Sequence, residues 1–344
     1  MIRTVMGDIS SEGVKLALPH EHLLCDLRPL VAPLDDEDVY RELSLSNFGK
    51  VTRNPYAVLD NALTDNEDVA IREVGIYAKA GGTLIADATT ADFGRNPQAL
   101  RRISEATGVS IVAGCGCYID CSLSEQTKEL TVAQMRERII RDLTVGMDGT
   151  DIRAGMIGEI GTSMEMTEFE KLSLKAAAEA QKETGFGMHI HACLWNREGL
   201  KALKYAKECG ANPEKICIDH ADVMLDEDYI LGILDMGAYM EFDNFGKEFY
   251  VDRHNRNLLL HSFATDVERV KFMKKLLDRG YEKQLLITND ICLKSMMHTY
   301  GGWGYDHVLT NIIPMMEDFG ITSAQIHTMM TENPIRFLER SDAK

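Results

Sequence analysis

Two His-x-His pairs are the residues of this chain best suited to chemistry: His20 with His22, and His189 with His191. In an extended strand, residues i and i+2 point to the same side, so each pair aims two imidazoles at one spot. Neutral imidazole is the commonest protein ligand for zinc, iron, nickel and copper. Further candidate donors follow or end short apolar runs later in the chain: Glu159, His220 and Asp290.

The composition is that of an acidic globular protein. The chain has 344 residues, of which 45% are hydrophobic and 26% are charged, and this is enough to bury a sizeable core. The formal net charge of −17 argues against nucleic acid as the main partner, because phosphate binding needs clustered lysine and arginine. We see no signal-peptide core and no run near the roughly 20 apolar residues of a membrane span. We therefore expect a cytoplasmic protein that does not insert into membranes.

Eight cysteines show no spacing typical of a secreted disulfide scaffold. Cys115, Cys117 and Cys121 lie close together in sequence, which raises a thiolate metal site as an alternative. Closely spaced cysteines of this kind are more often small core residues or loop thiols, and we interpret them in that way.

The elements that must position the donors follow from an alternation of apolar runs and amphipathic helical stretches. We predict strands at 14–19, 83–88, 110–115, 154–159, 187–191, 216–219, 238–242 and 285–288. We predict helices at 65–80, 133–145, 168–184, 195–209, 226–236 and 267–279. A glycine follows several of these helices, where a C-cap favours positive φ. Repeated helix, glycine and strand units imply a parallel sheet.

Eight such units fit a closed (β/α)8 barrel of the TIM type better than an open, doubly wound sheet, which is the alternative. Active sites of such barrels lie at the C-terminal ends of the strands. Every candidate donor falls at or just after the predicted C-terminal end of a strand. An open sheet would bring together only those beside its switch point. We therefore predict one α/β barrel domain over residues 1–344, with a metal site at the C-terminal ends of its strands.

Four imidazoles and two carboxylates suffice for two divalent ions that share a water. In the inferred arrangement, one ion is bound by His20, His22 and Asp290, and the other by His191 and His220. Glu159 is shared by both ions. Glu159 is placed in the shared position because a carboxylate offers two oxygens. Asp290 is also the predicted general base for the shared water. His189 lies one layer deeper and is interpreted as a supporting or core residue.

Three further residues are candidate substrate contacts. Tyr118 follows the third predicted strand, where it either packs or contacts the shared water or a substrate oxygen. Lys247 and Lys294 follow the seventh and eighth strands, whose loops often hold phosphate in barrels. Both lysines are either solvated or bind an anionic substrate group, with Tyr300 or Arg253 nearby.

With these residues the chain resembles the phosphotriesterase family of the amidohydrolase superfamily. The resemblance spans essentially the whole length and rests on these motifs together with His191: TVMG at 4–7, LPHEHLL at 18–24, DFGR at 92–95, GEIG at 158–161, DHAD at 219–222, ND at 289–290 and NPIRFL at 333–338. It implies a distorted (β/α)8 barrel and a binuclear zinc-type centre with the donors named above. Manganese is the alternative metal.

Two departures from the family pattern bear on the substrate. Many members bridge their metals with a carboxylated lysine on the fourth strand, where this chain has Glu159, as in the branch called phosphotriesterase homology proteins. The insecticide hydrolases have a proton-relaying histidine after the aspartate that ends strand seven, whereas Asn244 follows Asp243 here. Neither departure favours efficient phosphotriester hydrolysis.

Relatives with similar barrels hydrolyse lactones, including sugar lactone phosphates. The resemblance therefore favours a hydrolase of a lactone or carboxyl ester, in which a hydroxide held between two ions attacks the carbonyl. Hydrolysis of an organophosphate or phosphodiester by the same centre is one alternative, and a non-catalytic ligand-binding protein that retains the metal is another. The expected partner is a small molecule, and a homodimer is one candidate assembly.

Overall fold

The computed structural model describes residues 1–31, 37–251 and 261–340. Its strands, in chain order, are β1 (Ile2–Thr4), β2 (Gly7–Ile9), β3 (Ala17–Glu21), β4 (Cys25–Asp26), β5 (Leu63–Thr64), β6 (Leu84–Asp87), β7 (Ser110–Cys115), β8 (Met156–Gly161), β9 (Met188–His191), β10 (Ile216–Ile218), β11 (Tyr239–Phe242) and β12 (Leu285–Ile287). The central sheet has eight strands in the order β3-β6-β7-β8-β9-β10-β11-β12, and its hydrogen-bonded neighbours run parallel. Two antiparallel pairs, β1 with β2 and β4 with β5, lie outside it.

Helices connect the strands of the central sheet. They are α1 (Phe48–Val51), α2 (Glu67–Lys79), α3 (Pro97–Thr107), α4 (Glu125–Lys128), α5 (Val132–Thr144), α6 (Glu168–Thr184), α7 (Glu198–Glu208), α8 (Glu227–Leu234), α9 (Asp266–Asp278), α10 (Ile313–Asp318), α11 (Ser323–His327) and α12 (Asn333–Leu338). Helix α6 shows how the sequence sets their ends. Thr167 and Glu170 form a capping box at its start, and Gly185 ends it with φ +73°.

Side chains join the two outer strands of the sheet and so bring it round into a barrel. The Thr288 hydroxyl, just after β12, donates to the His20 carbonyl of β3 at 2.7 Å. The Glu21 carboxylate accepts the backbone N–H of Asn289 at 2.8 Å and that of Ile291 at 2.7 Å. The (β/α)8 barrel predicted from the sequence is therefore confirmed, and the open sheet is excluded.

Two predicted strands are shifted in the structure. The first barrel strand begins at Ala17 rather than at residue 14, because the backbone N–H groups of Lys15 and Leu16 donate to the Thr83 hydroxyl instead of joining the sheet. It then continues to Glu21, and β8 continues past Glu159 to Gly161. His20 therefore lies within its strand rather than just beyond it, and Glu159 lies inside its strand rather than at the end.

The apolar core fills the space between the sheet and the surrounding helices. No helix in the described part of the chain is long and apolar enough to cross a membrane. The barrel interior, by contrast, holds buried histidines and carboxylates towards the C-terminal ends of the strands. This polar interior is where the predicted donors meet.

Candidate metal centre

The predicted metal donors reach the centre by two local routes. His20, Glu159 and His191 are residues of strands β3, β8 and β9, with the first two inside their strands and His191 at the end of its own. His220 and Asp290 follow β10 and β12 in left-handed backbone conformations, with φ of 60° and 51°. Histidine and aspartate enter this region more readily than most residues do. The two sharp turns place these side chains at the same end of the barrel as the strand residues.

All six predicted donors are buried. Five of them form two overlapping groups, and Asp290 lies beside the histidines of the first group. In the first group, the Nε2 atom of His20 lies 3.7 Å from Glu159 Oε1 and 3.7 Å from Asp290 Oδ1. The Nε2 atom of His22 lies 3.6 Å from Glu159 Oε2 and 3.2 Å from Asp290 Oδ1. His20, His22 and Glu159 are therefore close enough to share an ion, and Asp290 lies against both histidines.

The second group shares Glu159 with the first. Its Oε1 atom lies 2.8 Å from His191 Nδ1 and 3.0 Å from His220 Nε2. The two imidazole nitrogens are 2.8 Å apart. Glu159 is thus the residue common to both groups, as the sequence predicted for a shared carboxylate.

These donors fit a pair of divalent ions. Zinc bound at about 2.0–2.2 Å in tetrahedral geometry holds neighbouring ligand atoms about 3.3 Å apart, near the spacings seen in both groups. The Nε2 atom of His20 is buried and has no hydrogen-bond partner among the described residues, although it faces two carboxylates. An unpaired nitrogen of this kind is costly in a protein interior unless it binds something. Nitrogen and carboxylate oxygen donors are those that zinc and manganese accept.

The electrostatics of the donors support the same interpretation. Burial would raise the pKa of Glu159, but the neighbouring imidazoles of His20 and His191 together outweigh it and hold this pKa well below its usual range. Burial would also raise the pKa of Asp290, but the neighbouring Lys247 ammonium holds it below its usual range. Both carboxylates are therefore ionised near neutral pH, which is the form that binds metal.

Aromatic side chains line a pocket of about 110 Å³ above the donors, and they include Phe93, Tyr118 and Trp195. The Tyr118 hydroxyl lies 3.1 Å from His191 Nδ1, and burial raises the pKa of Tyr118 well above its usual value. Lys247 also lines this pocket, is 5% exposed and forms an ion pair with Asp290 Oδ2. Tyr118 and Lys247 therefore both line this pocket, and their contact with substrate stays a prediction.

The structure does not bring Lys294 to this pocket. Its ammonium pairs with Asp60 Oδ1 at 2.5 Å and lies over the Tyr300 ring, 5.7 Å from the ring centroid. It lines a separate small cavity instead. Cys292 and Leu293 of the same loop do line the pocket, so a position after a strand was not sufficient to place the Lys294 side chain. Arg253, which was expected nearby, lies outside the described residues.

The clustered cysteines contribute nothing to the centre. Cys115 and Cys117 are buried and Cys121 is exposed. Within residues 1–31, 37–251 and 261–340, the groups of side chains close enough to share an ion contain no cysteine. Burial raises the pKa of the Cys117 thiol to about 11, so it is protonated near neutral pH.

Four buried carboxylates around the centre were not assigned from the sequence. Glu21 holds the backbone on both sides of Asp290. Asp243 accepts the backbone N–H of His220 at 2.7 Å. Glu241 and Asp219 lie deeper, beside His20 and His189 respectively. A lone carboxylate in an apolar run, the signal that singled out Glu159, also marks Glu241.

His189 lies below the donors, as its position two residues before His191 suggested. Its Nδ1 atom is 2.9 Å from Asp219 Oδ1. Burial lowers the pKa of His189 to about 4, so this imidazole is neutral near neutral pH.

Comparisons with known proteins agree with this geometry. The model of the phosphotriesterase family matches residues 1–338. The N-acetyltaurine hydrolase of Danio rerio is 37% identical over 343 residues, which cover 98% of this chain and 97% of that protein.

Two solved structures show the same fold. A resiniferatoxin-binding protein from Rhodobacter sphaeroides has a TM-score of 0.94 and 33% identity, with 98% of this chain and 94% of that chain covered. The phosphotriesterase homology protein from Escherichia coli, solved with phosphate in its active site, has a TM-score of 0.78 and 28% identity, with 96% and 100% covered. The chain belongs to the phosphotriesterase family, whose members are binuclear, metal-dependent hydrolases.

Proposed function

We propose that this protein uses two divalent ions, zinc or manganese, to hydrolyse an ester or amide bond in a small substrate that carries an anionic group. The observation that carries the proposal is Glu159, which lies between two groups of donors at the base of a pocket lined by Tyr118 and Lys247. A lactone or carboxyl ester is the bond predicted from the sequence. The similarity to an N-acetyltaurine hydrolase adds the amide bond to that class.

The donors and their neighbours divide the chemical work. Two divalent ions, when bound, polarise a carbonyl oxygen and lower the pKa of water. Asp290 is ionised, and its carboxylate lies at the pocket beside His22. It is placed to take the proton of the attacking water and to return it to the leaving oxygen or nitrogen, which is general base and then general acid catalysis.

Tyr118 and Lys247 are assigned to the substrate. The phenol of Tyr118 is protonated near neutral pH and lies beside His191, so it can donate a hydrogen bond to the substrate carbonyl oxygen. Lys247 has three N–H donors, of which Asp290 accepts at least one. The remaining donors can bind a carboxylate, phosphate or sulfonate at the far end of the substrate.

The pocket limits the size of that substrate. A cavity of about 110 Å³ suits a small acyl compound. Most of the wall is apolar and aromatic, so Lys247 supplies a localised positive charge within an apolar lining. A short acyl group joined to an anionic alcohol or amine matches both properties.

A substrate panel tests the proposal. Protein reconstituted with zinc or manganese is assayed against N-acetyl aminosulfonates, N-acetyl amino acids, lactones with and without a phosphate group, a neutral aryl acetate and a phosphotriester. We expect turnover of anionic acyl compounds that is lost on chelation and restored by metal. Preference for the phosphotriester would support the organophosphate alternative. Absence of turnover with two bound ions would support a ligand-binding protein.

A further inference from the structure

A sealed polar layer lies inside the barrel beneath the candidate donors. It consists of His20, His189, Asp219 and Glu241, each with 0% of its surface exposed. Interiors of such barrels are usually filled by layers of branched apolar side chains. Burying ionisable groups costs free energy unless they are paired, so the presence of this layer requires a structural or functional explanation.

Within the layer each imidazole has a carboxylate of its own. Glu241 Oε2 lies 3.0 Å from His20 Nδ1 and 3.7 Å from His189 Nδ1. Asp219 shows the opposite preference, since it lies 2.9 Å from His189 Nδ1 and 3.7 Å from His20 Nδ1. Glu241 is therefore the partner of His20, and the Asp219–His189 pair packs beside it.

The contact with Glu241 decides which nitrogen of His20 faces the centre. Burial raises the pKa of Glu241 to about 7, and the contacts with His189 and His20 oppose that rise by favouring the ionised form. In that form Glu241 only accepts hydrogen bonds, so the Nδ1 atom of His20 carries the hydrogen. Its Nε2 atom then keeps a free lone pair, and this is the atom that faces Glu159 and Asp290. Metal-bound histidines commonly donate their other N–H to a carboxylate, which fixes the tautomer and raises the basicity of the ligand.

His22, the other histidine on this side of the centre, lacks such a partner. Its Nδ1 atom lies 2.9 Å from the Thr89 hydroxyl, which can either donate or accept. The hydroxyl therefore leaves the tautomer of His22 undetermined. On the opposite side, the Nδ1 atom of His220 lies 3.0 Å from Asp243. Each side of the centre thus has one histidine beside a buried carboxylate.

We propose that Glu241 is a positioning residue that selects the metal-binding tautomer of His20 and thereby sets the affinity of one ion of the pair. This role rests on the proposed function, because it presumes an ion on the His20 side. It extends that function by making the two ions separable: loss of Glu241 weakens the ion held by His20, His22 and Asp290, and spares the one held by His191 and His220.

Titration of Glu241 variants with cobalt tests this role. Stripped wild-type protein, Glu241→Gln and Glu241→Leu are titrated with Co²⁺ against a competing chelator, while the visible absorption of each ion is followed. Glutamine keeps an acceptor oxygen, whereas leucine keeps neither oxygen. We expect one of the two binding steps to weaken by roughly 10- to 100-fold in Glu241→Leu and by less in Glu241→Gln, with the other step unchanged.

A matched variant separates this role from general destabilisation. Glu170 is equally buried and accepts hydrogen bonds from Asp120, Ser163 and Thr167 at the start of α6. Glu170→Gln makes the same carboxylate-to-amide change away from the centre and should leave both binding steps at wild-type affinity.

Each outcome of the titration decides the matter. Wild-type affinities in folded Glu241→Gln and Glu241→Leu overturn the role, as does equal weakening of both steps. If Glu241→Leu does not fold, the selective loss in Glu241→Gln decides alone. Failure of the wild type to bind two ions refutes the proposed binuclear centre instead, and is seen before any variant is compared.

Discussion

The two sides of the candidate centre differ in how they meet the pocket. His22, Asp290, His191 and His220 all line the pocket, whereas His20 does not. On the His20 side, donor atoms lie 3.2–3.7 Å apart and the buried Glu241 stands behind one of them. On the His191 side, they lie 2.8–3.0 Å apart with the Tyr118 hydroxyl beside them. The difference indicates that His20 anchors the centre in the barrel, while the other donors of both sides face the pocket.

Loss of the shared carboxylate should have the largest effect. Glu159→Gln leaves one acceptor oxygen, whereas each of the two sides needs one. The affinity for both ions should therefore fall, by more than the roughly 100-fold loss typical of supporting residues. Turnover should fall with them. Metal content by elemental analysis, measured beside the rate, checks this. Full occupancy and full activity would show that Glu159 is not shared. Wild-type activity should also be independent of bicarbonate, because glutamate needs no carboxylation.

Asp290→Asn should have the second-largest effect, because it removes a donor of the His20 side and the predicted base together. We expect turnover to fall by roughly 100-fold or more. The rate is measured at saturating metal, so that a weakened ion is not mistaken for lost proton transfer. Unchanged turnover at normal metal content would remove Asp290 from the mechanism.

Lys247→Met tests whether the pocket recognises an anion. Loss of a charge-assisted hydrogen bond costs about 1.5–3 kcal/mol, so the KM for an anionic substrate should rise by roughly 10- to 100-fold. A neutral substrate should change much less. Lys294→Met is the matched control, since that lysine pairs with Asp60 outside the pocket. Equal effects on charged and neutral substrates would assign Lys247 to holding Asp290 alone.

Tyr118→Phe should have the smallest effect and should act on the His191 side. Loss of one neutral hydrogen bond costs about 0.5–1.5 kcal/mol, so kcat should fall by roughly 2- to 10-fold with both ions retained. Tyr56→Phe removes another tyrosine hydroxyl of the same pocket and serves as the control. A loss of metal in Tyr118→Phe would show that the hydroxyl supports His191 instead of the substrate.

The barrel and the meeting of the donors followed from local patterns. The period of two placed His20 and His22 on one side of a strand, and the strand ends placed His220 and Asp290 at one rim. Both patterns depend only on residues that are close together in the sequence. Which atoms face each other depends on contacts between distant strands, and no local pattern contains them.

The two lysines show what local sequence patterns do not predict. Lys247 and Lys294 both lie in the loops that follow β11 and β12, yet Asp290 holds the first in the pocket and Asp60 holds the second outside it. The path of each loop depends on its long-range partner. Glu21 escaped prediction for a similar reason, since its partners belong to the loop after the last barrel strand.

The seam between β3 and β12 has a consequence for how the protein matures. Thr288 and His20 are joined across 268 residues of sequence, and Glu21 holds the backbone on either side of Asp290. A chain still on the ribosome has His20 and His22 from the start, but it lacks Asp290 until most of the polypeptide has been made. Contacts so distant in sequence form late in folding. We therefore expect the proposed ion on the His20 side to be retained only when both ends of the barrel have joined.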